Sequence, residues 1–124
     1  MTKWNISGFT GPTGPTGASY ITNGSGWTYV SGDSGNTPGD FDVTTSSGSS
    51  FSNVTSVLIN KTDSNSNNYS SLLLYLETIT TGGGTFDVQI SEIGNTSNFG
   101  LYIATASSYS VVPGKLTISA LSSL

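Results

Sequence analysis

Residues 8–19 read GFTGPTGPTGAS, four Gly-X-Y triplets in which proline fills two of the X positions. The collagen triple helix winds three polyproline-II-like chains so closely that only glycine fits at the common axis. The run therefore predicts a collagen-like stalk built from three chains, with Gly8, Gly11, Gly14 and Gly17 at its axis. At a rise of about 3 Å per residue, this stalk would be about 35 Å long.

A flexible glycine-rich linker is the alternative interpretation of this run, because the chain contains 16 glycines. The strict register, with proline and small or hydroxyl residues between the glycines, favours the triple helix. Four triplets provide few contacts between chains, so the rest of the protein is expected to supply most of the trimer stability. The run divides the chain into an N-terminal anchor of residues 1–7, a stalk of residues 8–19 and a head of residues 20–124.

The N-terminal segment carries two large apolar residues, Trp4 and Ile6. A segment this short is not expected to bury them within a fold of its own. We interpret them as an anchor that attaches the stalk to a partner surface, and a frayed terminus is the alternative.

The composition excludes several classes of function. The net charge is −4, and the only basic residues are Lys3, Lys61 and Lys115, so nucleic-acid binding is not expected. The chain has no cysteine and no histidine, which excludes disulfides and the usual zinc and nucleophile systems. No apolar run approaches the length of a membrane span or a signal peptide, and we expect neither membrane nor cofactor binding.

The head is predicted to be mainly β, because Ser and Thr are frequent and apolar residues alternate with polar ones. Its one predicted helix covers residues 69–80, where Leu72, Leu76 and Ile79 share a face after a cap at Asn67 or Asn68. A buried strand is the alternative for residues 72–76. A turn is predicted at residues 95–98, with inward-facing Phe99, Leu101 and Ile103 after it, and Leu116, Ile118 and Ala120 in the last strand. The six predicted strands centre on residues 26–30, 40–44, 54–60, 86–91, 99–103 and 116–120.

This pattern predicts a small antiparallel β-barrel or sandwich with one short helix covering one end, assembled as a homotrimer through the head and stalk.

Several segments along the chain resemble a known family. They are VLINKTDSN at residues 57–65, SSL at 70–72, FDVQISE at 86–92 and GNTSNF at 94–99, followed by Tyr102. In this order, and after the collagen-like triplets, they resemble the collagen-stalked β-modules of virion surface and tail-fibre proteins of marine bacteriophages, particularly cyanophages. The resemblance covers roughly residues 8–120.

The resemblance implies a non-enzymatic structural protein on the virion surface, made in the host cytoplasm. One short stalk and one head suit a trimer that decorates or cements the capsid, in contact with partners such as the major capsid protein. The alternative is a tail-fibre or spike component in contact with tail proteins, including a receptor-binding module for host glycans.

Two further groups of residues suggest ligand sites. Trp27, Tyr29 and Tyr102 are candidates for stacking on a sugar ring, and burial in the core or trimer interface is the alternative. The spacing of Asp63, Asn65 and Asn67 resembles the start of a calcium loop, but the required glycine and final glutamate are missing. We therefore expect a turn in which these side chains bond to their own backbone, and no metal site.

Carboxylate pairs were also considered as catalytic groups. Asp87 with Glu92 or Glu77 would need to lie about 5 to 9 Å apart in a cleft to hydrolyse a glycoside. The sequence provides no other polar cluster around them. We therefore expect no catalytic residues and no enzymatic activity.

Overall fold

The structure, a computed structural model, describes residues 3–10, 19–20, 26–45, 53–92 and 95–123. Within these ranges the chain forms eight strands and one helix, so the prediction of a mainly β fold with one helix is confirmed. The elements are β1 (Lys3–Thr10), β2 (Ser19–Tyr20), β3 (Trp27–Tyr29), β4 (Asp40–Thr45), β5 (Val54–Asn60), α1 (Ser70–Thr81), β6 (Phe86–Glu92), β7 (Asn95–Ser110) and β8 (Lys115–Ser123).

The strands form one curled, half-barrel sheet in the order β2-β1-β3-β4-β5-β8-β7-β6. The neighbouring strands are antiparallel, except that β3 and β4 are parallel. β1 also pairs with β6 at the far end of this order, so the strand pairings form a closed circuit. Because β3 and β4 run in the same direction, the chain must return to the end of the sheet at which β3 begins before β4 can start. Residues 30–39 form this connection.

The core lies between the inner face of the sheet and α1. At its centre, Val57 lies opposite Ile118 and Ile59 lies opposite Leu116, and all four side chains are fully buried. Leu58 and Thr117 lie between them and opposite each other, and they face outward and are half-buried because successive side chains in a strand point to opposite faces. Burying each such aliphatic side chain stabilises the fold by about 1.5 to 3 kcal/mol.

The helix buries one face of its apolar sequence in this core. Leu73, Leu76 and Ile79 are buried, whereas Leu72 is only half-buried and packs at the margin. The helix prediction is therefore confirmed, the alternative of a strand is wrong, and Leu73 takes the central place expected for Leu72. The predicted cap at Asn67 or Asn68 is wrong, because the N-cap residue is Tyr69 and it makes no side-chain cap hydrogen bond. Asn68 lies just before it, and its Oδ1 accepts a hydrogen bond from the Ser70 amide at 2.8 Å.

The prediction for β7 is wrong in two respects. Residues 95–98, where the sequence predicts a turn, belong to the strand, which begins at Asn95. Tyr102 and Ala104 face the core, whereas Leu101 is exposed and Ile103 is half-buried. The cause is that the core face of β7 also packs against α1, so small residues lie there, and the Tyr102 ring occupies the space beside Gly100.

The last strand departs from simple alternation near its end. Leu116 and Ile118 are buried as predicted, but Ala120 is exposed and Leu121 is buried in its place. The backbone explains the change, because Ala120 has a φ of 54°. One residue in this left-handed conformation interrupts the alternation and turns the following side chain to the opposite face.

The N-terminal segment belongs to the sheet and does not form a separate anchor. Ile6 pairs with Ile90 of β6, and its side chain is fully buried in the core. The prediction that Ile6 anchors the protein to a partner is therefore wrong. The segment is too short to form a core of its own, but its pairing with β6 places the Ile6 side chain in the core of the head. The backbone of Trp4 pairs with Trp27 and Glu92, and its side chain lies outside the described part of the structure.

The collagen-like run of residues 8–19 begins within β1 and ends within β2, and these two strands pair with each other. Gly8 is part of β1, whereas Gly11, Gly14 and Gly17 lie outside the described residues. Thr10 pairs with Ser19, and Phe9 pairs with Tyr20. Paired Cα atoms lie about 5 Å apart, whereas a triple helix would place Thr10 and Ser19 about 28 Å apart. In this arrangement the two ends of the run therefore do not follow the predicted stalk.

Candidate functional site

The three aromatic residues predicted to stack on a ligand have different environments. Trp27 and Tyr102 are fully buried, so the prediction is wrong for these two and the alternative of core packing is confirmed. Trp27 Nε1 donates to the Asn60 carbonyl at 3.0 Å, and burial raises the pKa of Tyr102 to about 12. Tyr29 is exposed, and its ring centroid lies 5.6 Å from that of Phe41.

The segment that resembles a calcium loop forms the predicted turn. Asp63 is buried, and its Oδ1 accepts hydrogen bonds from the amides of Asn65 and Asn67 at 2.9 Å each. Its Oδ2 accepts a third from Asn67 Nδ2 at 3.0 Å. The carboxylate thus holds its own loop closed, and the interpretation as an Asx turn is confirmed.

A second buried carboxylate holds the connection between β3 and β4, residues 30–39, against the outer face of the sheet. Asp42 Oδ2 accepts hydrogen bonds from the amides of Gly32 and Ser34, both at 3.0 Å. On the neighbouring strand, buried Asn60 donates from Nδ2 to the Gly35 carbonyl at 3.0 Å. Buried polar side chains satisfied in this way fix a connection that has few apolar contacts of its own.

Charged residues at the margin of this connection strengthen the same arrangement. Lys115 Nζ donates to the Ser34 carbonyl at 2.9 Å and to Asn36 Oδ1 at 2.8 Å. The hydroxyl of Thr37 donates to Asp33 and lowers the pKa of that carboxyl, and the charge of Lys115 adds to the effect. Burial raises the pKa of Asp40, and the nearby charge of Asp33 raises it further.

Among the side chains whose exposure the structure describes, the most exposed large apolar ones lie on the turn between β7 and β8. We call Val111, Val112 and Pro113 the apolar turn. Val111 is 76% exposed and Val112 is 85% exposed. The strands pair up to Ser110 and Lys115, and Ser110 Oγ donates to the Val112 carbonyl at 2.7 Å. The turn therefore holds two aliphatic side chains in solvent at a fixed position.

The apolar turn adjoins the loop that follows β5. The Lys61 amide donates to the Gly114 carbonyl at 2.9 Å, and the Lys61 side chain lies across Gly114. The aliphatic part of the Lys61 side chain thus lies at the base of the turn, and Lys115 begins the next strand. The signal for a site was present, because two β-branched apolar residues precede a Pro-Gly turn where polar residues are usual.

Of the carboxylates weighed as catalytic groups, Glu77 is bonded within the fold, and the side chain of Glu92 lies outside the described part of the structure. Glu77 Oε2 accepts a hydrogen bond from the Tyr109 amide at 2.6 Å, which joins α1 to β7. In the part of the chain that the structure describes, no three acidic side chains come together in a way that could hold a metal ion. The helix α1 is too short to cross a membrane.

No protein family, no curated protein and no solved structure matches the chain.

Proposed function

We propose that this chain is a non-enzymatic, homotrimeric structural protein of a bacteriophage virion that decorates or cements the capsid. The observation that carries the proposal is the apolar turn, whose two valines are fixed in solvent. Apolar side chains held out in this way are characteristic of a surface that another protein covers. The collagen-like triplets support the proposed trimer, and the resemblance to phage surface modules supports the proposed location on a virion.

The apolar turn takes the attachment role that the sequence analysis gave to Trp4 and Ile6. Its rigidity favours binding, because little conformational freedom is lost when a braced turn enters a pocket. Lys61 beside it is suited to a carboxylate at the rim of that pocket. In a trimer three such turns act together, so a weak individual contact gives firm attachment to the capsid.

The stalk is the part of the proposal that requires a change in the described arrangement. A triple helix over residues 8–19 requires Phe9 and Thr10 to separate from Tyr20 and Ser19, and it requires Thr10 to separate also from Asp87 of β6. β2 has only two residues, so few hydrogen bonds oppose this separation. We propose that assembly of three chains releases β2 and allows the triplets to wind together.

The stalk can be tested with two substitutions at neighbouring positions. Gly14→Val would place three branched side chains at the axis of a triple helix, where only hydrogen fits. Thr13→Val changes an outward position and is the matched control. We expect limited proteolysis to cleave the Gly14→Val trimer rapidly between residues 8 and 19 and to spare both the control and the wild type. Equal cleavage of the two variants would show that the run is an ordinary linker.

The virion location can be tested on particles of the phage that encodes the chain. Gold-labelled antibody against the head is expected to decorate the capsid in electron micrographs, whereas label confined to the tail would support the fibre or spike alternative. Absence of label from intact particles would contradict both.

The same particles test the apolar turn. Replacing Val111 and Val112 with serine is expected to abolish loading onto particles, because the attachment loses its apolar contact in all three copies. Leu101→Ser is the control, since Leu101 is exposed on the sheet at a distance from the turn along β7. Normal loading of the double variant as a folded trimer would exclude the turn as the attachment site.

A further inference from the structure

β1 occupies a well-defined place in the head. It pairs antiparallel with β6 along one edge and with the start of β3 along the other. Ile6 lies opposite Ile90 in this pairing, and both side chains are buried in the core. We call the space that residues 3–7 occupy between β3 and β6 the β1 slot.

An empty β1 slot would leave the head with an open strand edge and a gap in its core. β6 pairs with β7 along its other edge, so the loss of β1 would remove the strand partner from its slot side. The fully buried Ile6 side chain would also no longer cover Ile90. Open strand edges of this kind pair readily with other chains. Whatever removes β1 from its own head therefore creates a site for another strand.

Winding of the collagen-like run removes β1 from its own head. A stalk that continues β1 begins at Gly8, about 13 Å from Trp4, and a triple helix over residues 8–19 adds about 35 Å. The eight steps from Ser19 back to Trp27 span about 28 Å at most. Trp4 therefore cannot stay paired with Trp27 while the stalk extends away from the head.

β1 is the strand that leaves, because β3 keeps other attachments. β3 also pairs with β4 on its other side. Trp27 of β3 is buried, and its Nε1 donates to the Asn60 carbonyl at 3.0 Å. β1 is joined to the rest of the head through the collagen-like run itself, so winding of the run carries β1 with it.

We infer that in the assembled protein the β1 slot is filled by β1 of a second copy of the chain. This inference rests on the proposed homotrimer with its stalk, and it adds the contact that joins one trimer to the next. In a wound trimer the three β1 strands lie about 35 Å from their own heads, beyond the far end of the stalk. The second copy therefore belongs to another trimer. Exchange of a strand in this way links neighbouring trimers, which suits a protein that cements the capsid.

The slot selects a second copy because β1 is the strand whose fit the structure shows. An incoming strand must run antiparallel to β6 and must place a large apolar side chain opposite Ile90. β1 of every copy has Ile6 at that position, so it makes in another head the contacts that it makes in its own. Each chain empties one slot and supplies one strand, so strands and slots match in number.

Single cysteines report which chain supplies β1, because the chain has no cysteine of its own. Ser7 of β1 is the partner of Gln89 of β6. Paired Cα atoms lie about 5 Å apart, which is within the range that a disulfide can bridge. Ser7→Cys chains are mixed with Gln89→Cys chains, assembled and then oxidised. We expect a mixed disulfide between the two chains, detected by non-reducing electrophoresis and mass spectrometry.

The matched control uses a strand pair that does not exchange. Leu58 of β5 and Thr117 of β8 are partners in the sheet, and both are half-buried. A mixture of Leu58→Cys chains with Thr117→Cys chains therefore measures chance collisions. We expect at least tenfold more mixed disulfide from the Ser7 and Gln89 variants, in assemblies larger than one trimer by sedimentation velocity. Circular dichroism checks that all four variants fold. Equal amounts from the two mixtures would overturn the exchange.

A disulfide within one chain provides a second test. Ser7→Cys and Gln89→Cys in the same chain, oxidised at low concentration, hold β1 in its own head. We expect this locked chain to leave residues 8–19 sensitive to protease and to form no joined trimers, and we expect reduction to reverse both effects. A chain locked through Leu58→Cys and Thr117→Cys is expected to assemble like the wild type. Normal joining of trimers by the chain with locked β1 would overturn the inference.

Failure of the exchange is distinct from failure of the trimer. A wild-type trimer with a protease-resistant run, but with no mixed disulfide above the control, would overturn the exchange alone. Mixed disulfides confined to single trimers would contradict the joining of one trimer to the next. A wild-type chain that stays monomeric at all concentrations would overturn the proposed homotrimer, and the exchange with it.

Discussion

Replacing Ile6 with alanine is expected to lower the free energy of unfolding by about 2 to 5 kcal/mol. The side chain is fully buried, and it lies on the strand that joins β6 to the rest of the curled sheet. The substitution removes apolar contacts and leaves a cavity in a place where strand pairing limits collapse of the surroundings. Urea denaturation followed by tryptophan fluorescence measures the change.

The matched control for Ile6 is Val112→Ala, which shortens an apolar side chain that is 85% exposed. Its effect on stability is expected to lie within about 0.5 kcal/mol. The pair also decides between the two roles assigned to Ile6. If the Ile6→Ala protein had wild-type stability but did not attach to particles, the result would support the anchor role of Ile6 and contradict its place in the core.

Replacing Gly35 with alanine is expected to destabilise the protein by about 3 kcal/mol or more. Gly35 has a φ of 70°, and a left-handed conformation costs a residue with a Cβ about 1 to 2 kcal/mol. An added Cβ would also lie 2.7 Å from the Leu58 carbonyl oxygen, which belongs to the backbone of β5 and cannot move aside. The connection would lift away and lose its hydrogen bond from Asn60, at a cost of about 1 kcal/mol.

Gly32 provides the control because it shares the backbone conformation but not the crowding. Its φ is 87°, and nothing lies within 4 Å of an added Cβ. Gly32→Ala is therefore expected to cost only the conformational term of about 1 to 2 kcal/mol. Urea denaturation of both variants measures the difference. Equal destabilisation would show that the close approach of Gly35 to β5 contributes nothing.

Much of the head could be predicted from local patterns. Residues 54–60 and 86–91 alternate or carry β-branched apolar side chains, and both became strands with nearly the predicted bounds. The helix followed from its 3.6-residue spacing, and the loop after Asp63 followed from the tendency of Asx side chains to bond to nearby amides. In each case the interactions that fix the conformation lie within the segment or between side chains on one of its faces.

The features that could not be predicted depend on partners distant in sequence. Nothing near Ile6 indicates that Ile90 will lie beside it. The inward face of β7 was missed because Gly100 and Ala104 look unsuited to a core until a helix and the Tyr102 ring fill the space. Asp42 looked like an ordinary polar residue of a strand, and its role appears only when the connection folds back over it.

The pairing of β1 with β6 also has a consequence during protein synthesis. Ile6 and Ile90 are separated by 84 positions (90 − 6), so β1 leaves the ribosome well before the strand with which it pairs. Such high contact order slows folding, because the entropy cost of closing a long loop comes before the strand pairing can stabilise the chain. The nascent chain meanwhile exposes an unpaired strand edge and an apolar side chain, both of which promote aggregation. Expression at low temperature, which weakens apolar association, or a chaperone that covers β1, is therefore expected to increase the yield of folded protein.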